Sequence, residues 1–289
     1  MKTNTCRILA FFSICAVALA AAGPGVLYPI REHGQWGYMD KTGKVVIKAA
    51  YQDALEFSDG LAPVKIGGLF GYINPQAKVV LSPRFDEARF FHHGIAPVRK
   101  GQLWGYIRPT GEFAIPLQYE TARSFQDDVA RVRKGGQWGY IDFDGKLIIP
   151  MKFDDSNGFN EELAPVRSAT LWGFIDKHGA FAVQPRFELA HSFGEGLADV
   201  KIDGKCGYID KSGKFAISPR FDAAGEMSES LAPVQTGARW GYIKPDGAYV
   251  LQPAYDAARP FRDGLAQVEV GKRLAYIDHA GKIVWEEPQ

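Results

Sequence analysis

Large apolar residues recur along this chain at a fixed spacing, separated by polar and glycine-rich stretches. A group of four residues (an apolar residue, Gly or Ala, an aromatic residue and an aliphatic residue) occurs eight times at intervals of 34 residues. The eight groups begin at Trp36, Phe70, Trp104, Trp138, Trp172, Cys206, Trp240 and Leu274. A fixed period in this range is the signature of a repeat protein. The sequence therefore predicts eight tandem units.

Further apolar positions keep the same register and supply the expected core. One position always holds alanine: Ala62, Ala96, Ala130, Ala164, Ala198, Ala232 and Ala266. Another always holds valine: Val64, Val98, Val132, Val166, Val200, Val234 and Val268. A third always holds an aromatic residue: Tyr51, Phe85, Tyr119, Phe153, Phe187, Phe221 and Tyr255. Because a single unit of this size cannot bury its own aromatic residues, the units are expected to stack on one another.

Each unit contains three short segments that are typical of β-strands, as at 61–66, 70–74 and 43–47. The turn Asp40–Gly43 and its equivalents suit a tight connection, because Asp accepts backbone amides and Gly adopts positive φ. The connector 51–57 is compatible with one helical turn or with an irregular crossover. We therefore predict an all-β repeat protein of eight units, each with three short antiparallel strands. A propeller-like ring is favoured over an open β-solenoid, because eight is a common blade number and neither end shows a polar capping unit.

The repeated segments Gly-Leu-Ala-Pro-Val, Trp-Gly-Tyr-Ile-Asp and Phe-Asp-Xaa-Ala-Xaa-Xaa-Phe closely resemble those of the WG-repeat family of bacterial proteins. The resemblance extends over residues 27–289. The chain departs from the pattern at Phe70, Cys206 and Leu274, in the Trp position, and at Ala275, in the Gly position. The resemblance implies a repeat scaffold with a role in interactions, and it provides no catalytic residues to carry over.

The N-terminal segment has the features of a secretory signal peptide. Lys2 and Arg7 precede an apolar run over 8–20, which ends in small residues and is short for a membrane span. We therefore divide the chain into a signal peptide, 1–22, and a single domain of eight units, the last incomplete, over 23–289. An uncleaved membrane anchor is the alternative. The mature chain is expected to have no membrane span and to be exported to the periplasm, the extracellular space or the cell surface.

Composition and motifs argue against several classes of function. The 34 basic and 33 acidic residues give a net charge of +1, so no overall field attracts nucleic acid. The histidines occupy unrelated positions of the repeat, and no metal-ligand or nucleotide-binding spacing occurs. A carboxylate follows the recurring aromatic residue at Asp86, Glu120, Asp154, Glu188, Asp222 and Asp256. Identical acids in identical settings do not suit general acid–base catalysis, so capping or ion pairing is the better interpretation. No catalytic residue, metal or cofactor is expected.

One basic position is the candidate binding site. The residue after the recurring valine, or its equivalent in the first unit, is basic in six units: Arg31, Lys65, Arg99, Arg133, Arg167 and Lys201. It then becomes Gln235 and Glu269. Equivalent positions lie side by side in adjacent units, so a ladder of cations is expected. It would bind a protein or an anionic envelope polymer such as a polysaccharide. Alternatively, each cation pairs with the recurring carboxylate.

The sequence therefore favours an exported, non-catalytic binding or scaffold module. An enzyme acting on an envelope polymer and a purely structural or inhibitory protein remain the alternatives.

Overall fold

The computed structural model describes residues 26–126 and 128–288, which form eight antiparallel sheets arranged as the blades of a propeller. Within these ranges the chain contains 31 strands and no helix. Both the all-β class and the ring are confirmed, whereas the expected signal peptide at 1–22 lies outside the described residues.

Blade 1 contains three strands and every other blade contains four. The strands of blade 1 are β1 (Tyr28–Glu32), β2 (Gln35–Met39) and β3 (Val45–Tyr51). Those of blades 2 to 4 are β4 (Asp53–Ala54), β5 (Ala62–Ile66), β6 (Leu69–Ile73), β7 (Val79–Phe85), β8 (Glu87–Ala88), β9 (Ala96–Lys100), β10 (Leu103–Ile107), β11 (Phe113–Tyr119), β12 (Thr121–Ala122), β13 (Ala130–Lys134), β14 (Gln137–Ile141) and β15 (Leu147–Phe153). Those of blades 5 and 6 are β16 (Asp155–Ser156), β17 (Ala164–Ser168), β18 (Leu171–Ile175), β19 (Phe181–Phe187), β20 (Leu189–Ala190), β21 (Ala198–Ile202), β22 (Lys205–Ile209) and β23 (Phe215–Phe221). Those of blades 7 and 8 are β24 (Ala223–Ala224), β25 (Ala232–Thr236), β26 (Arg239–Ile243), β27 (Tyr249–Tyr255), β28 (Ala257–Ala258), β29 (Ala266–Val270), β30 (Arg273–Ile277) and β31 (Ile283–Glu286).

The connectors between the expected three-stranded units are neither helical turns nor wholly irregular. Each begins with a two-residue strand, such as β4, that pairs with the first long strand of the following blade. Each connector therefore supplies the fourth strand of the next blade. Since eight units have only seven connectors, blade 1 has three strands.

The strand directions define two ends of the ring. The hairpin face carries the turns between the first two long strands of each blade, such as Gly67–Gly68, and the residues that join one blade to the next, such as Asp86. The loop face carries the turns equivalent to Asp40–Gly43 and the loops equivalent to 55–61.

The two-residue strands lie nearest the axis of the ring. In the loop that follows one of them, Asn160 Nδ2 donates a hydrogen bond to Glu226 Oε1, two blades further on, at 3.2 Å. Arg262 likewise contacts Glu56 at 3.5 Å, across blade 1. Side chains of non-adjacent blades can meet only close to the axis. The last strand of each blade is the outer one, and β7 accordingly exposes Val79 and Val80.

The ring closes where blade 1 meets blade 8. Tyr28 and Tyr276 pack edge to face with ring centroids 5.8 Å apart, and Tyr276 Oη donates to Pro29 O at 3.0 Å. Arg31 forms an ion pair with Glu287 at 2.9 Å. Within residues 26–126 and 128–288, no strand of one terminus enters the sheet of the other, and these contacts between the two blades all involve side chains.

The core lies between the blades and is built from the recurring apolar positions. Four recurring phenylalanines are fully buried: Phe91, Phe125, Phe159 and Phe193. Each packs against the tyrosine or phenylalanine of the Trp-Gly-Tyr group in the preceding blade. That tyrosine also links consecutive blades: Tyr106 Oη, for example, donates to Arg123 O in the next blade at 2.7 Å. The neighbouring units therefore share both apolar area and hydrogen bonds, as the stacking argument requires.

The glycine of the same group allows the outer strand to come close. A Cβ atom at Gly105 would lie 2.6 Å from Ile115 O, and equivalent glycines show approaches of 2.4–2.7 Å to the outer strand of their blades. The outer strand carries extra residues opposite this glycine in blades 1 to 7. In blade 8 the position holds Ala275, which pairs directly with Glu286 without such a bulge. Among the eight blades, the one that has alanine in place of this glycine is thus also the one whose outer strand has no extra residues opposite it.

Candidate functional site

The six expected cations occupy one position of the hairpin face in blades 1 to 6. Each is the fourth residue of the first long strand of its blade, two residues before the hairpin turn begins. Each is also half-buried. The ladder expected from the sequence therefore runs as an arc around the ring.

The residues opposite these cations come from the two-residue strands, which the sequence analysis did not anticipate. Asp53 lies opposite Lys65, Glu87 opposite Arg99 and Asp155 opposite Arg167. Of these three opposed pairs, only Glu87 and Arg99 form an ion pair, at 2.7 Å.

The other members of the set meet different neighbours. Arg31 is held by Glu287 at the seam, while Arg133 lies opposite Thr121 and Lys201 opposite Leu189. The positive charge of the arc is consequently balanced to different degrees in different blades.

The recurring carboxylates do not serve as the general partners of these cations. Asp86 Oδ2 accepts a hydrogen bond from Gly101 N at 2.7 Å, and every equivalent carboxylate accepts one from the hairpin turn of its own blade. Only the Glu120–Arg133 pair comes within ion-pair distance, at 3.9 Å. The capping interpretation is confirmed, whereas systematic pairing between the recurring carboxylates and these six cations is wrong, because the register places residues of the two-residue strands, such as Glu87, opposite the cations of blades 2 to 6.

Arg133, Arg167 and Lys201 occupy three successive blades, 4 to 6, and we call these three residues the basic arc. Arg167 and Lys201, like Lys65 in blade 2, make no ion pair within 4.0 Å to any carboxylate of the residues that the structure describes. Arg133 reaches only the distant Glu120 and donates to Gly136 O at 3.1 Å.

Two further positions, which we call the inner slots, lie beside the two-residue strands and hold polar residues in several blades. The first slot directly follows the two-residue strand and holds Leu55, Arg89, Arg123, Asn157, His191, Gly225 and Arg259. The second is the residue after the recurring alanine, or its equivalent in blade 1, and holds Pro29, Pro63, Pro97, Arg131, Pro165, Asp199, Pro233 and Gln267. In each of blades 2 to 8 the backbone N–H of the first slot donates to the carbonyl of the second at 2.8–3.1 Å. The two slots are therefore neighbours, and the regular blades fill the second one with proline.

In blades 6 and 8 polar residues in the inner slots have polar partners nearby. His191 Nδ1 lies 2.5 Å from the buried Asp199 Oδ2, and this carboxylate raises the pKa of the imidazole. Gln267 Nε2 donates to Tyr276 Oη at 3.2 Å, beside the seam between blades 8 and 1. These substitutions supply local hydrogen bonds.

Blades 3 and 4 instead collect positive charge in the inner slots. Arg89, Arg123 and Arg131, which we call the arginine cluster, lie close enough together that the charge of Arg123 lowers the pKa of both other guanidinium groups. Burial is the larger cause, and together the two effects bring the pKa of Arg89 to about 9 and that of Arg131 to about 10. The carboxylates of Glu87 and Asp155 act in the opposite direction.

The inner slots do not stand out from what the units share, because their residues differ from blade to blade. The available signal was the converse: Arg131, Asp199 and Gln267 replace a proline that five other units keep. Such unit-specific polar residues are the expected mark of a site in a repeat protein, because the scaffold itself does not require them.

Other residue types considered in the sequence add no chemistry to these positions. Cys206 is buried in the Trp position, and burial raises its thiol pKa to about 12. His92 and His93 lie in a loop, with ring centroids 4.3 Å apart. Within residues 26–126 and 128–288, no group of three His, Cys, Asp or Glu side chains is placed to hold a metal ion. The same ranges contain no helix that could cross a membrane.

Solved structures with a similar fold belong to proteins of different kinds. A eukaryotic initiation factor aligns with a TM-score of 0.59 at 8% identity, over 92% of this chain and 85% of the other. BamB from Moraxella catarrhalis aligns with a TM-score of 0.51 at 11% identity, over 91% and 92%. The dihydro-heme d1 dehydrogenase NirN, in complex with DHE, gives 0.60 at 13%, over 96% and 76%. At these identities the likeness concerns the fold alone.

Sequence comparison identifies the repeat itself. None of the curated proteins matches the chain at a significant level. The family model of the WG containing repeat, in contrast, matches seven successive segments, 36–70, 70–104, 104–138, 138–168, 172–206, 207–239 and 240–273. These segments include most of the eight-bladed ring, and the chain belongs to the family of proteins built from the WG containing repeat.

Proposed function

We propose that this chain is an exported, non-catalytic binding module that holds an anionic polymer of the bacterial envelope against the hairpin face of its propeller. The observation that carries the proposal is the basic arc, in which three successive blades each present a cation at the same position. Asp155 lies opposite one of them, and Thr121 and Leu189 lie opposite the others.

Geometry favours an extended partner. The three cations occur at one height of the ring and repeat from blade to blade, so a chain of regularly spaced anionic groups can meet them in sequence. Each contact at a half-exposed cation is weak, but several contacts along one polymer add through effective concentration. A role in binding also fits the recurring carboxylates, which are engaged by backbone amides in every blade where they occur.

Export is supported by the features of residues 1–22, which are those of a signal peptide. We assign the mature domain to the periplasm or the cell surface, where acidic polysaccharides and other anionic polymers are available as partners.

The experiment measures binding of the purified domain, residues 23–289, to immobilised polygalacturonate, with neutral dextran as the reference. The proposal expects binding at low salt that falls steeply as salt rises, because screening weakens contacts between exposed charges. The triple variant Arg133→Gln, Arg167→Gln and Lys201→Gln is expected to lose at least tenfold in affinity.

The matched control removes three positive charges from the other end of the ring. Lys44, Lys146 and Lys214 are exposed in the turns of the loop face. Replacing them with Gln changes the net charge by the same amount and should leave the affinity within about twofold. Equal losses in the two triple variants would show attraction by net charge alone, and unchanged binding in the arc variant would refute the assignment of the hairpin face. Binding to an acidic protein but not to the polymer would refute the assignment of the partner.

A further inference from the structure

We propose that the outer wall of blades 8, 1 and 2, where it meets the loop face, docks on the surface of a membrane that contains anionic phospholipids. This sector, which we call the seam rim, consists of three lysines and four exposed aliphatic residues: Lys44, Lys78, Lys282, Val46, Val79, Val80 and Ile283. The proposal is independent of polymer binding, which uses the hairpin face at the other end of the ring.

The seam rim repeats one short sequence in three consecutive blades. Each of the outer strands β31, β3 and β7 begins directly after an exposed lysine, and its first two residues are aliphatic. The three segments are Lys282-Ile283-Val284, Lys44-Val45-Val46 and Lys78-Val79-Val80. Elsewhere the lysine occurs in blades 4 and 6, each of which lies between blades that lack it. Blades 8, 1 and 2 therefore form the one run of adjacent blades with this pattern.

Adjacent segments of the seam rim are neighbours around the ring. A Cβ atom at Gly43, in the loop-face turn of blade 1, would lie 3.0 Å from Val284 O of blade 8. Cβ atoms at the equivalent glycines of blades 3 to 8 would lie 3.1–3.3 Å from an aliphatic side chain of the preceding outer strand. Each turn thus packs on the blade before it, and the repeat places blade 2 in the same relation to blade 1. The three segments therefore form one surface.

The aliphatic side chains of the seam rim are open to solvent. Val46, Val79, Val80 and Ile283 expose 43–47% of their surface. Apolar patches that stay exposed beside charged residues mark surfaces that contact a protein or a membrane. Side chains of this kind can enter the headgroup region of a bilayer, where removal from water stabilises the contact.

The charge of the seam rim favours an anionic surface. Its three lysines are exposed and make no ion pair within 4.0 Å to any carboxylate in residues 26–126 and 128–288. The aspartates in two of the turns, Asp40 and Asp278, accept hydrogen bonds from backbone amides of their own turns. Lysines next to a layer of anionic lipid each strengthen binding, so the three lysines complement such a surface.

The rim suits this contact better than the whole loop face does. Loops nearer the axis carry exposed carboxylates, such as Asp59 and Asp263, which an anionic membrane repels. The outer wall of a ring is also convex, so a flat bilayer can meet it over a sector of its circumference. Three consecutive blades supply such a sector.

A second copy of the chain is the competing partner, because the outer strands are sheet edges. Pairing of two seam rims would bring the same lysines together, with Lys48 of β3 among them, and like charges across a strand pair are destabilising. Pro83 also removes a backbone donor from β7. A lipid surface needs no backbone pairing and supplies the opposite charge.

The experiment measures flotation of the domain 23–289 with lipid vesicles. One set of vesicles contains phosphatidylcholine alone, and the other contains about 30% phosphatidylglycerol, which gives an anionic surface. The charge variant is Lys44→Gln, Lys78→Gln and Lys282→Gln. Its matched control removes three exposed lysines from the hairpin face: Lys100→Gln, Lys134→Gln and Lys272→Gln.

A third variant tests the aliphatic side chains with the lysines in place. It carries Val46→Thr, Val80→Thr and Ile283→Thr, which keep the β-branched shape that suits a strand. Analytical ultracentrifugation without lipid gives the oligomeric state of the wild type and of this apolar variant.

We expect the wild type to float with anionic vesicles at low salt, to be released as salt rises and to bind neutral vesicles at least tenfold more weakly. The charge variant should lose at least tenfold in affinity for anionic vesicles and the apolar variant at least fivefold. The control should stay within about twofold.

Lack of wild-type binding to anionic vesicles at low salt overturns the proposal. An equal loss in the control also overturns it, since attraction then depends on net charge alone. Full binding by the apolar variant overturns it as well, because the aliphatic residues then stay in water. A wild type that is dimeric without lipid, together with a monomeric apolar variant, would assign the seam rim to a second copy instead. If the apolar variant does not fold, the comparison of the charge variant with its control decides the question.

Discussion

Replacing Gly105 with alanine should destabilise the propeller because blade 3 leaves no space for a Cβ atom. The atom would lie 2.6 Å from Ile115 O, 2.8 Å from Pro116 C and 2.9 Å from Leu117 N. All three are backbone atoms of the outer strand, so no flexible side chain can move aside. The strand β11 must shift away from β10, and this disturbs the packing of Trp104 and Tyr106, which are buried.

Two opposing contributions set the size of the effect. Overpacking of a well-ordered core costs about 1–3 kcal/mol, and contact with backbone places this site toward the upper end of that range. Alanine also restricts the unfolded chain relative to glycine, which offsets roughly 0.4–1 kcal/mol. Gly105 does not adopt positive φ, so no further cost arises from the backbone conformation. The net loss is about 1–2 kcal/mol, or a fall of roughly 2–6 °C in the unfolding temperature for a domain of this size.

The assay is urea and thermal unfolding of the domain 23–289, monitored by circular dichroism. The matched variant is Ala275→Gly, at the equivalent position of blade 8, where the residue pairs directly with Glu286. It should lose only about 0.5–1 kcal/mol, the ordinary cost of glycine in a strand. If Gly105→Ala proves as stable as the wild type, close approach of the outer strand is not the reason for this glycine.

Two further predictions concern ionisable groups inside the ring. Burial raises the pKa of Cys206 to about 12. A polar thiol reagent at pH 8 should therefore label the native protein at least 100-fold more slowly than the urea-unfolded chain. Comparable labelling rates would contradict the buried position of the thiol. The Asp199 carboxylate raises the pKa of His191, so the stability from this pair is fully present below the unfolded histidine pKa and is lost as pH rises through the folded value. Thermal unfolding between pH 5.5 and 8.5 should show this loss in the wild type, and Asp199→Pro should flatten that part of the profile; an equally steep profile in the variant would refute the assignment.

The repeat period predicted the architecture because the fold is built from interactions that recur. The 34-residue spacing of the Trp-Gly-Tyr groups specified eight blades, and the buried side chains, such as Val98 and Phe125, are those that keep the register. The two-residue strands escaped notice because Asp53–Ala54 is too short to show an alternation of apolar and polar residues. That omission concealed the residues opposite the cations, since Glu87 belongs to such a strand.

The arginine cluster could not be recognised from the period for a different reason. Arg89 and Arg131 belong to two slots eight residues apart in the unit, and adjacent blades bring them together with Arg123. Their proximity depends on the hydrogen bond between the slots and on the packing of blade 3 against blade 4. A comparison of departures from the repeat identifies these positions, whereas their meeting place requires the structure.

The seam between blades 1 and 8 has a consequence for how the chain reaches its native state. Every blade is formed from one continuous segment, so most contacts join residues close in sequence and the loops to be closed are short. Contacts such as Tyr276 Oη to Pro29 O, between residues 247 apart, form only when all eight blades are in place. The arrangement of the blades in the ring therefore does not require the chain to begin at blade 1 and end at blade 8. A circular permutant opened at the exposed turn Gly135–Gly136, with a linker across the seam, would keep every sheet intact. The native protein is therefore a closed ring, but its blades can form one after another along the chain before blades 1 and 8 meet.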